Sequence, residues 1–555
     1  MGNSSFADFS STLEKVRETP SKNEKVRVLS EYLRGLDADD AELAARFATG
    51  RASRKGSADE TQTGYSTILA VLEELTGLSA RDVSRIYVKF GDLGQVVEQT
   101  LSSKKVGTLF QETLGLRDVA ESFEAMTRAK GKGSSDLKKS HLKALLLRSD
   151  GTEAKFLVKI LTKEMRIGLV DGLVEGAIAA AYGIDRASVR ETALLLGDIG
   201  LLARRARLGE LSEVRLELMR PTNFMLAEPM QTAEEIASYF EGRVLNGEYK
   251  YDGVRAQVHK RGGEVRIFSR RLEEITPSFP EVVDAAVATA HDFILDGEIV
   301  PFRDGSPLSF QLLQRRLRRI ENFEAAKKET PVSYFCFDIL LLDGEDLHQR
   351  PMRERREALG RTIAGAFPEA EMRRVTTSGE IGALFRESRS RGYEGLVLKD
   401  PESPYSPGRR GRSWVKLKEE LDTLDVVIVG AELGHGKRAG KISDYTFAVR
   451  DGESLKVIGK AYSGLTDKEI EEMMVKIKAL TLEDDGYFRT VRPELVIEVA
   501  FDSVQRSERH ESGFALRFPR IKRIRGDKGV ADIDTIQKVR KVFGSQKVRV
   551  EEEGA

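Results

Sequence analysis

Hydrophobic positions along the chain fall into three regimes. Up to about residue 218 they recur with a helical period. Phe156, Ile160 and Leu161 continue into Leu173, Ala177, Ile178 and Ala181 at the i, i+4, i+5, i+8 spacing of a buried helix face. Helix-forming Leu, Ala, Glu, Lys and Arg dominate this part, and strand-like alternation is scarce. The stretch from Lys130 to Lys139 reads as an exposed basic loop, either a solvated linker or a contact for a phosphate backbone.

Near Pro221 the pattern changes. Val254, Ala256 and Val258 alternate with Arg255, Gln257 and His259, and Gly262-Gly263 turns the chain into Val265-Arg266-Ile267-Phe268, which predicts a hairpin. Further strands are expected at Phe293 to Val300, Val332 to Leu342 and Gly395 to Lys399. Helices are expected at Leu312 to Ala326 and Met352 to Ala364. From Leu424 strands dominate again (Val426 to Val429, Tyr445 to Val449, Leu455 to Ile458, Leu495 to Ala500), interrupted by one helical stretch, Asp467 to Leu480. Several strands around one helix suit a small barrel such as an OB-fold, although periodicity alone does not separate that from a sandwich. The expectation is a multidomain chain: all-α over 1–218, α+β over 219–422 and a β-barrel over 423–555. The Glu551-Glu552-Glu553 tail reads as a solvated terminus.

Length agrees, since 555 residues exceed what one hydrophobic core organises. Hydrophobic residues at 40% and charged residues at 32% fit an ordered, highly charged protein. No apolar run approaches the roughly 20 residues that span a bilayer, and the N-terminus lacks a basic-then-apolar leader. A cytoplasmic protein without membrane attachment is expected. Cys336 is the only cysteine, so neither an intrachain disulfide nor a multi-cysteine zinc site can form. Net charge is zero, which leaves nucleic acid open, because local clusters of cations decide that affinity.

The chemistry concentrates in Lys250-Tyr251-Asp252-Gly253-Val254-Arg255. A lysine at a strand end, a turn, and a strand that brings an arginine back form a compact basic corner. Downstream, in order, lie Ser269-Arg270-Arg271, Leu295-Asp296-Gly297-Glu298, Phe335-Cys336-Phe337-Asp338, Glu394 to Lys399 and Trp414 to Lys418. The last element is Leu516-Arg517-Phe518-Pro519-Arg520, running on to Arg525-Gly526-Asp527-Lys528. Each residue alone has a plain structural explanation: Phe337 as core, Glu298 and Glu394 as surface carboxylates, Lys416 and Lys418 as a solvated strand face. The histidines form no ligand-like cluster.

With these motifs in this order the chain resembles the covalent nucleotidyltransferases, which comprise DNA ligases, RNA ligases and mRNA-capping enzymes. The long helical segment, with Lys163-Glu164-Met165-Arg166-Ile167-Gly168, and the lead-in Met225-Leu226-Ala227-Glu228-Pro229-Met230 are similar to ATP-dependent DNA ligases of the archaeal and eukaryotic type. That resemblance implies a helical DNA-binding domain, an adenylation domain and an OB-fold domain. It implies that Lys250 is the nucleophile towards ATP and that Glu248 reads adenine. Arg255 and Arg270 would contact ribose and phosphate, Glu298 ribose and metal, and Phe337 would stack on adenine. Glu394 would be the second metal carboxylate, Arg412 and Lys418 a nucleotide-binding pair, and Lys416 a neighbour of the α-phosphate. Arg517 and Arg520 would orient pyrophosphate after closure about a hinge near Asp422 to Asp425. ATP, Mg²⁺ and nicked double-stranded DNA are the implied ligands of a monomer active in replication, recombination and repair. A sliding clamp is a candidate partner that Phe6 and Phe9 alone do not specify. The alternatives are an RNA ligase or capping-type enzyme, or an inactive clamp on nicks.

The residue types suit that chemistry. A free lysine has a pKa near 10.4, and lowering it by roughly three units needs about 4 kcal/mol of differential interaction. Lys416, Lys418, a metal and desolvation are the expected sources.

Overall fold

The computed structural model describes residues 3–54, 64–102, 113–129, 131, 133–308, 310–317, 327–408, 410–418, 423–434, 438, 441–486 and 488–545. The first part is helical, from Phe6–Glu18 to Ile199–Leu208. Local sequence sets the helix ends. Asp150 and Glu153 form a reciprocal cap, each side chain accepting the other's backbone N–H at 2.8 Å. The helix they open, Gly151–Thr162, is buried from Glu153 to Leu161 and runs through the centre of the helical core. The expected basic loop is shorter than its composition suggests. Ser134–Arg148 is a helix, so Lys138 and Lys139 sit on it, because Leu142, Leu145 and Leu146 at i, i+3, i+4 pull that face into the core. Lys130 lies outside the described residues. Phe6 and Phe9 are fully buried, which removes them as a clamp-binding peptide.

The middle part holds two sheets. The first contains β1 (Leu226–Met230), β2 (Leu245–Tyr249), β9 (Met372–Val375), β10 (Gly395–Lys399) and β11 (Arg410–Lys418), in the order β1-β11-β10-β2-β9. The second contains β3 (Val254–Arg261), β4 (Glu264–Ser269), β5 (Phe293–Arg303), β7 (Val332–Leu342) and β8 (Glu345–Asp346), in the order β4-β3-β5-β7-β8, with β6 (Ser306–Pro307) paired to β5. The predicted hairpin forms with Arg261 opposite Glu264 across the two glycines. Helix Met352–Ile363 covers the second sheet, and its Arg355 is an almost fully buried partner of Asp338 at 2.7 and 2.9 Å. Of the helix expected at Leu312 to Ala326, Phe310–Leu317 is present and residues 318–326 lie outside the described residues.

Strand β12 (Thr423–Leu433) organises the last part. Its first half pairs with β17 (Val496–Ala500) and its second with β16 (Phe488–Val491). Its other edge carries β13 (Ile442–Asp451), which pairs with β14 (Ser454–Ala461), while β15 (Thr481–Asp484) extends β16 and β20 (Arg520–Ile524) extends β17. A separate ribbon joins β18 (Ser503–Arg506) to β19 (Phe514–Arg517). One strand serving two partners on the same edge bends the sheet towards a half-barrel. Helix Asp467–Leu480 packs Ile470, Met473 and Ile477 into it. Among the described residues no helix is long and apolar enough to cross a membrane, and the Glu551–Glu553 tail is outside them.

The helical and middle parts are stitched by a short linker. The Leu194 carbonyl accepts from Asn223 Nδ2 at 2.9 Å and from Thr222 Oγ1 at 3.3 Å. Buried Gln257 exchanges hydrogen bonds with the Thr222 backbone, and the Met219 N–H donates to His259 Nδ1 at 3.2 Å. Burial pulls the His259 pKa from 6.5 to about 3. The unfolded chain therefore binds a proton near pH 6.5 that the folded chain refuses. The contribution to stability is complete above pH 6.5 and drains at about 1.4 kcal/mol per unit as pH falls towards 3. Between pH 7.5 and 5.0, urea unfolding should lose about 2 kcal/mol more stability in the wild type than in His259→Gln. Parallel pH profiles for the two would refute this assignment.

Candidate active site

A cavity of about 1020 Å³ opens between the two sheets, with Lys250 in its wall. Backbone pairing sets the arrangement. Lys250 follows β2 directly, donates its N–H to Gly395 O at 2.8 Å and accepts from Glu394 N–H at 2.9 Å. Val397 lies opposite both Glu248 and Lys416, Lys399 opposite Trp414, and Gly395 opposite Lys418. With side chains alternating along each strand, the residues 248, 397, 399, 414 and 416 share one face, and all five line the cavity. Tyr249 stacks on Tyr393 at 5.0 Å and Tyr251 on Phe335 at 4.5 Å, holding the segment from both sides of Lys250. At Gly253 a Cβ would lie 2.2 Å from Ile299 O, so only glycine lets the turn after Lys250 press against β5.

The second sheet supplies the opposite wall. Arg255 and Glu298 are cross-strand partners on β3 and β5, and both line the cavity. Between β5 and β7 the register skips from Asp296↔Asp338 to Gly297↔Cys336, which leaves Phe337 as a bulge residue re-aimed into the cavity. Fully buried Asp296 anchors this wall: it accepts from Arg255 at 3.1 and 2.7 Å and from Tyr405 OH at 2.7 Å. Arg255 also donates to Met225 O at 2.7 Å, and Met225 N–H donates to Tyr405 OH at 3.0 Å. Two segments that flank the first sheet are thereby tied to the second.

Electrostatics depart from the expectation for Lys250. Burial opposes its charge, but Glu394, Glu298 and Asp252 outweigh that and hold its pKa above the ordinary lysine value. The expected cations do not lower it, because Lys418 donates to Glu394 at 3.0 Å and Glu394 also binds Lys250. The carboxylate stands between the two amines. Burial pushes Glu394 up, but Lys250 and Lys418 draw it well below the usual carboxylate range. Desolvation raises Glu298 to about 8, against the pull of Lys250 and Arg255.

Of the sequence-derived candidates, Glu248, Lys250, Arg255, Arg270, Glu298, Phe337 and Lys416 line the cavity together. Glu394 and Lys418 join them through Lys250. Arg517 reaches from the C-terminal part to Asp252 at 3.5 Å and lies over the Phe310 ring at 4.7 Å. Arg520 stays on its own side, paired with Asp502 at 3.8 Å, and Arg412 is exposed and does not line the cavity. The expected hinge is partly tied down: Asp425 receives Arg525 at 2.9 Å and Lys528 at 2.6 Å, so it belongs to the C-terminal body, and residue 422 is outside the described residues.

Sequence reasoning overlooked several contributors. Lys399 and Trp414 stand inside motifs already singled out, yet a strand-end lysine and a tryptophan gave no hint of a role. Arg356, Asp296 and Tyr405 depend on contacts remote in sequence. Arg51, Arg54 and Lys163 bring the helical part to the cavity mouth beside Arg270 and Arg271, and only tertiary packing places them there. The carboxylates Glu298, Glu394 and Asp252 offer oxygen donors alone, as hard divalent cations require. Among the described residues no cluster of three such groups could hold an ion by itself. The donor set therefore fits an ion whose coordination is completed by substrate phosphates and water.

Comparison with known proteins covers nearly the whole chain. Residues 5–179 match the family "DNA ligase N terminus", residues 224–418 the "ATP dependent DNA ligase domain" and residues 438–528 the "ATP dependent DNA ligase C terminal region". The chain is 43% identical to a "Probable DNA ligase" of Koribacter versatilis (strain Ellin345), covering 96% of each protein. It is 36% identical to a DNA ligase of Methanothrix thermoacetophila, covering 98% of this chain and 99% of the relative. The solved structure "Pmar-Lig_PreS3" shares the fold, with a TM-score of 0.57 and 17% identity over 93% of this chain and 99% of that one.

The buried Arg255–Asp296 pair should matter far more than surface pairs. Asp296→Asn leaves a buried guanidinium without its counter-charge and should cost about 3–5 kcal/mol. Glu402→Gln breaks an exposed pair with Arg353 and should cost under about 1 kcal/mol. Thermal unfolding of the two variants measures the difference, and equal losses would show that the network is not what joins the sheets.

Proposed function

This chain belongs to the ATP-dependent DNA ligases, and from that premise we propose that Lys250 is the residue that carries AMP. The enzyme seals nicks in double-stranded DNA through a lysyl-AMP and then a DNA-adenylate, the chemistry that replication, recombination and repair require. The observation that carries the assignment of Lys250 is its place in the wall of a cavity built from both sheets, with carboxylates, cations and an aromatic ring converging on it.

In the first step the Lys250 ammonium loses a proton to solvent and the neutral Nζ attacks the α-phosphorus of ATP. A P–N bond forms as the bond to the bridging oxygen breaks, the nitrogen sheds its second proton and pyrophosphate leaves. Lys416, Lys418 and Arg270 balance the negative charge on the phosphates. Glu248 and Phe337 hold adenine, and Arg255 shapes the floor beneath the ribose while Asp296 fixes its orientation. Arg412, on the same strand as Lys416, completes the nucleotide-binding pair with Lys418. Glu298 and Glu394 would hold Mg²⁺, which would neutralise phosphate charge. Arg517, already at Asp252, is placed to meet the departing pyrophosphate, while Arg520 needs further closure of the C-terminal part. The AMP then passes to the 5′-phosphate of the nick, and the 3′-hydroxyl displaces it.

Residues 1–218 serve as the DNA-binding domain, 219–422 as the adenylation domain and 423–555 as the closing OB-fold domain. The enzyme acts as a cytoplasmic monomer. A sliding clamp, if it recruits the enzyme, engages a surface other than Phe6 and Phe9.

The decisive experiment incubates the protein with Mg²⁺ and α-labelled ATP, beside Lys250→Ala, then adds nicked duplex DNA. Acid-labile label on the wild type alone, transferred to the nick and followed by sealing, is the expected result. No label would end the enzymatic reading, and label that never seals DNA would point to RNA ends. Because phosphate contacts dominate DNA affinity, nick binding should weaken steeply between about 50 and 200 mM salt, by 10³-fold or more if about six phosphates are neutralised.

A further inference from the structure

The base-reading end of the cavity contains a cation that no motif role accounts for. Lys399, at the end of β10, is buried, forms an ion pair with Glu248 at 2.6 Å, and has its ammonium 4.4 Å from the Phe337 ring centroid and 4.3 Å from that of Trp414. Arg356, buried on helix Met352–Ile363, reaches the other Glu248 oxygen at 3.2 Å and also donates to the Phe337 carbonyl at 3.1 Å. Glu248 is thus held between two cations, one on each carboxylate oxygen. The Trp414 indole N–H is buried, lines the same cavity and has no hydrogen-bond partner among the described residues.

The spacing relates this cluster to Lys250. Residues two apart along a strand share a face and lie about 7 Å apart, so Glu248 sits one nucleoside's reach from an α-phosphorus on Lys250. A carboxylate offers acceptors and no donor. The purine 6-position distinguishes the two common bases, because adenine carries an amino donor there and guanine a carbonyl acceptor. Facing the 6-position, Glu248 can pair with the amino group of adenine and repels the carbonyl of guanine, whose donors lie instead at N1 and the 2-amino group. Carboxylates rotate freely unless something fixes them, and here two cations and an aromatic cage do so.

We propose that Lys399, with Arg356, is a positioning residue that fixes Glu248 as an acceptor facing the purine 6-position, and so makes the enzyme select adenine over guanine nucleotides. This rests on the reading of Lys250 as the AMP carrier and adds the source of its base preference. A site built around a buried polar contact rejects the mismatched analogue strongly, since the mismatch leaves its groups unpaired.

The test compares labelling of Lys250 by α-labelled ATP and GTP in the wild type, Lys399→Met, Lys399→Arg and Glu248→Gln. For Lys399→Met the KM for ATP should rise at least about tenfold, with a smaller change in kcat, and the ATP-to-GTP ratio of kcat/KM should fall at least about tenfold. Lys399→Arg should restore most of that ratio. Glu248→Gln, which adds a donor facing the same position, should narrow the preference through improved use of GTP. A ratio unchanged in both Lys399→Met and Glu248→Gln overturns the proposal. So does a Lys399→Met loss that is equal for the two nucleotides, even if Lys399→Arg restores activity. If Lys399→Met does not fold, Glu248→Gln and Lys399→Arg decide the matter by the same ratio. Absence of label on the wild type would instead remove the underlying reading of Lys250.

Discussion

Fully buried Asp296 is the point on which the middle of the molecule depends. A buried carboxylate persists only when its charge and its lone pairs are satisfied. Here Arg255 meets it with two hydrogen bonds and Tyr405 with a third. Those partners are in turn fixed by the backbone at Met225, just before β1. The two sheets have separate strand pairings, so side-chain contacts must set their relative position. This network, beside the packing of Tyr251 on Phe335, makes the cavity between them a defined shape.

Within that frame the chemistry is delivered by strand periodicity. The alternation of β2, β10 and β11 presents every second residue to the cavity, and their register brings Glu248, Val397 and Lys416 into one row. A one-residue slip would turn that row outward. On the facing sheet a regular pairing would treat Phe337 as an ordinary member of the ladder. The bulge in β7 releases it and lets Phe335, two residues earlier, stay in the core against Tyr251.

The outer parts of the chain approach this centre from two sides. Helical-domain loops bring Arg51, Arg54 and Lys163 to the mouth of the cavity. From the C-terminal side Arg517 touches Asp252, in the same turn that Gly253 packs against β5. The segment Arg525 to Lys528, which reads as part of a basic motif, clamps Asp425 and so holds the start of β12 to the rest of its own sheet. The same run of positive charge thus serves the site at one end and the internal cohesion of its domain at the other.

What the sequence determined by itself is what local spacing encodes. The helical, mixed and strand-rich regimes, the hairpin at Gly262-Gly263, the limits of β7, β10 and the helix Asp467–Leu480, and the ordered motifs around Lys250 all follow from periodicity and from residue types a few positions apart. Tertiary structure alone decided the electrostatics and the company each residue keeps. That Glu394 stands between Lys418 and Lys250 and keeps the amine charged, that Lys399 and Arg356 share Glu248, and that Arg520 pairs with Asp502 are consequences of contacts between distant segments. The physical reason is distance. Coulomb and hydrogen-bond energies depend on separations of a few ångströms and on burial, and positions along a chain set neither until the sheets have packed.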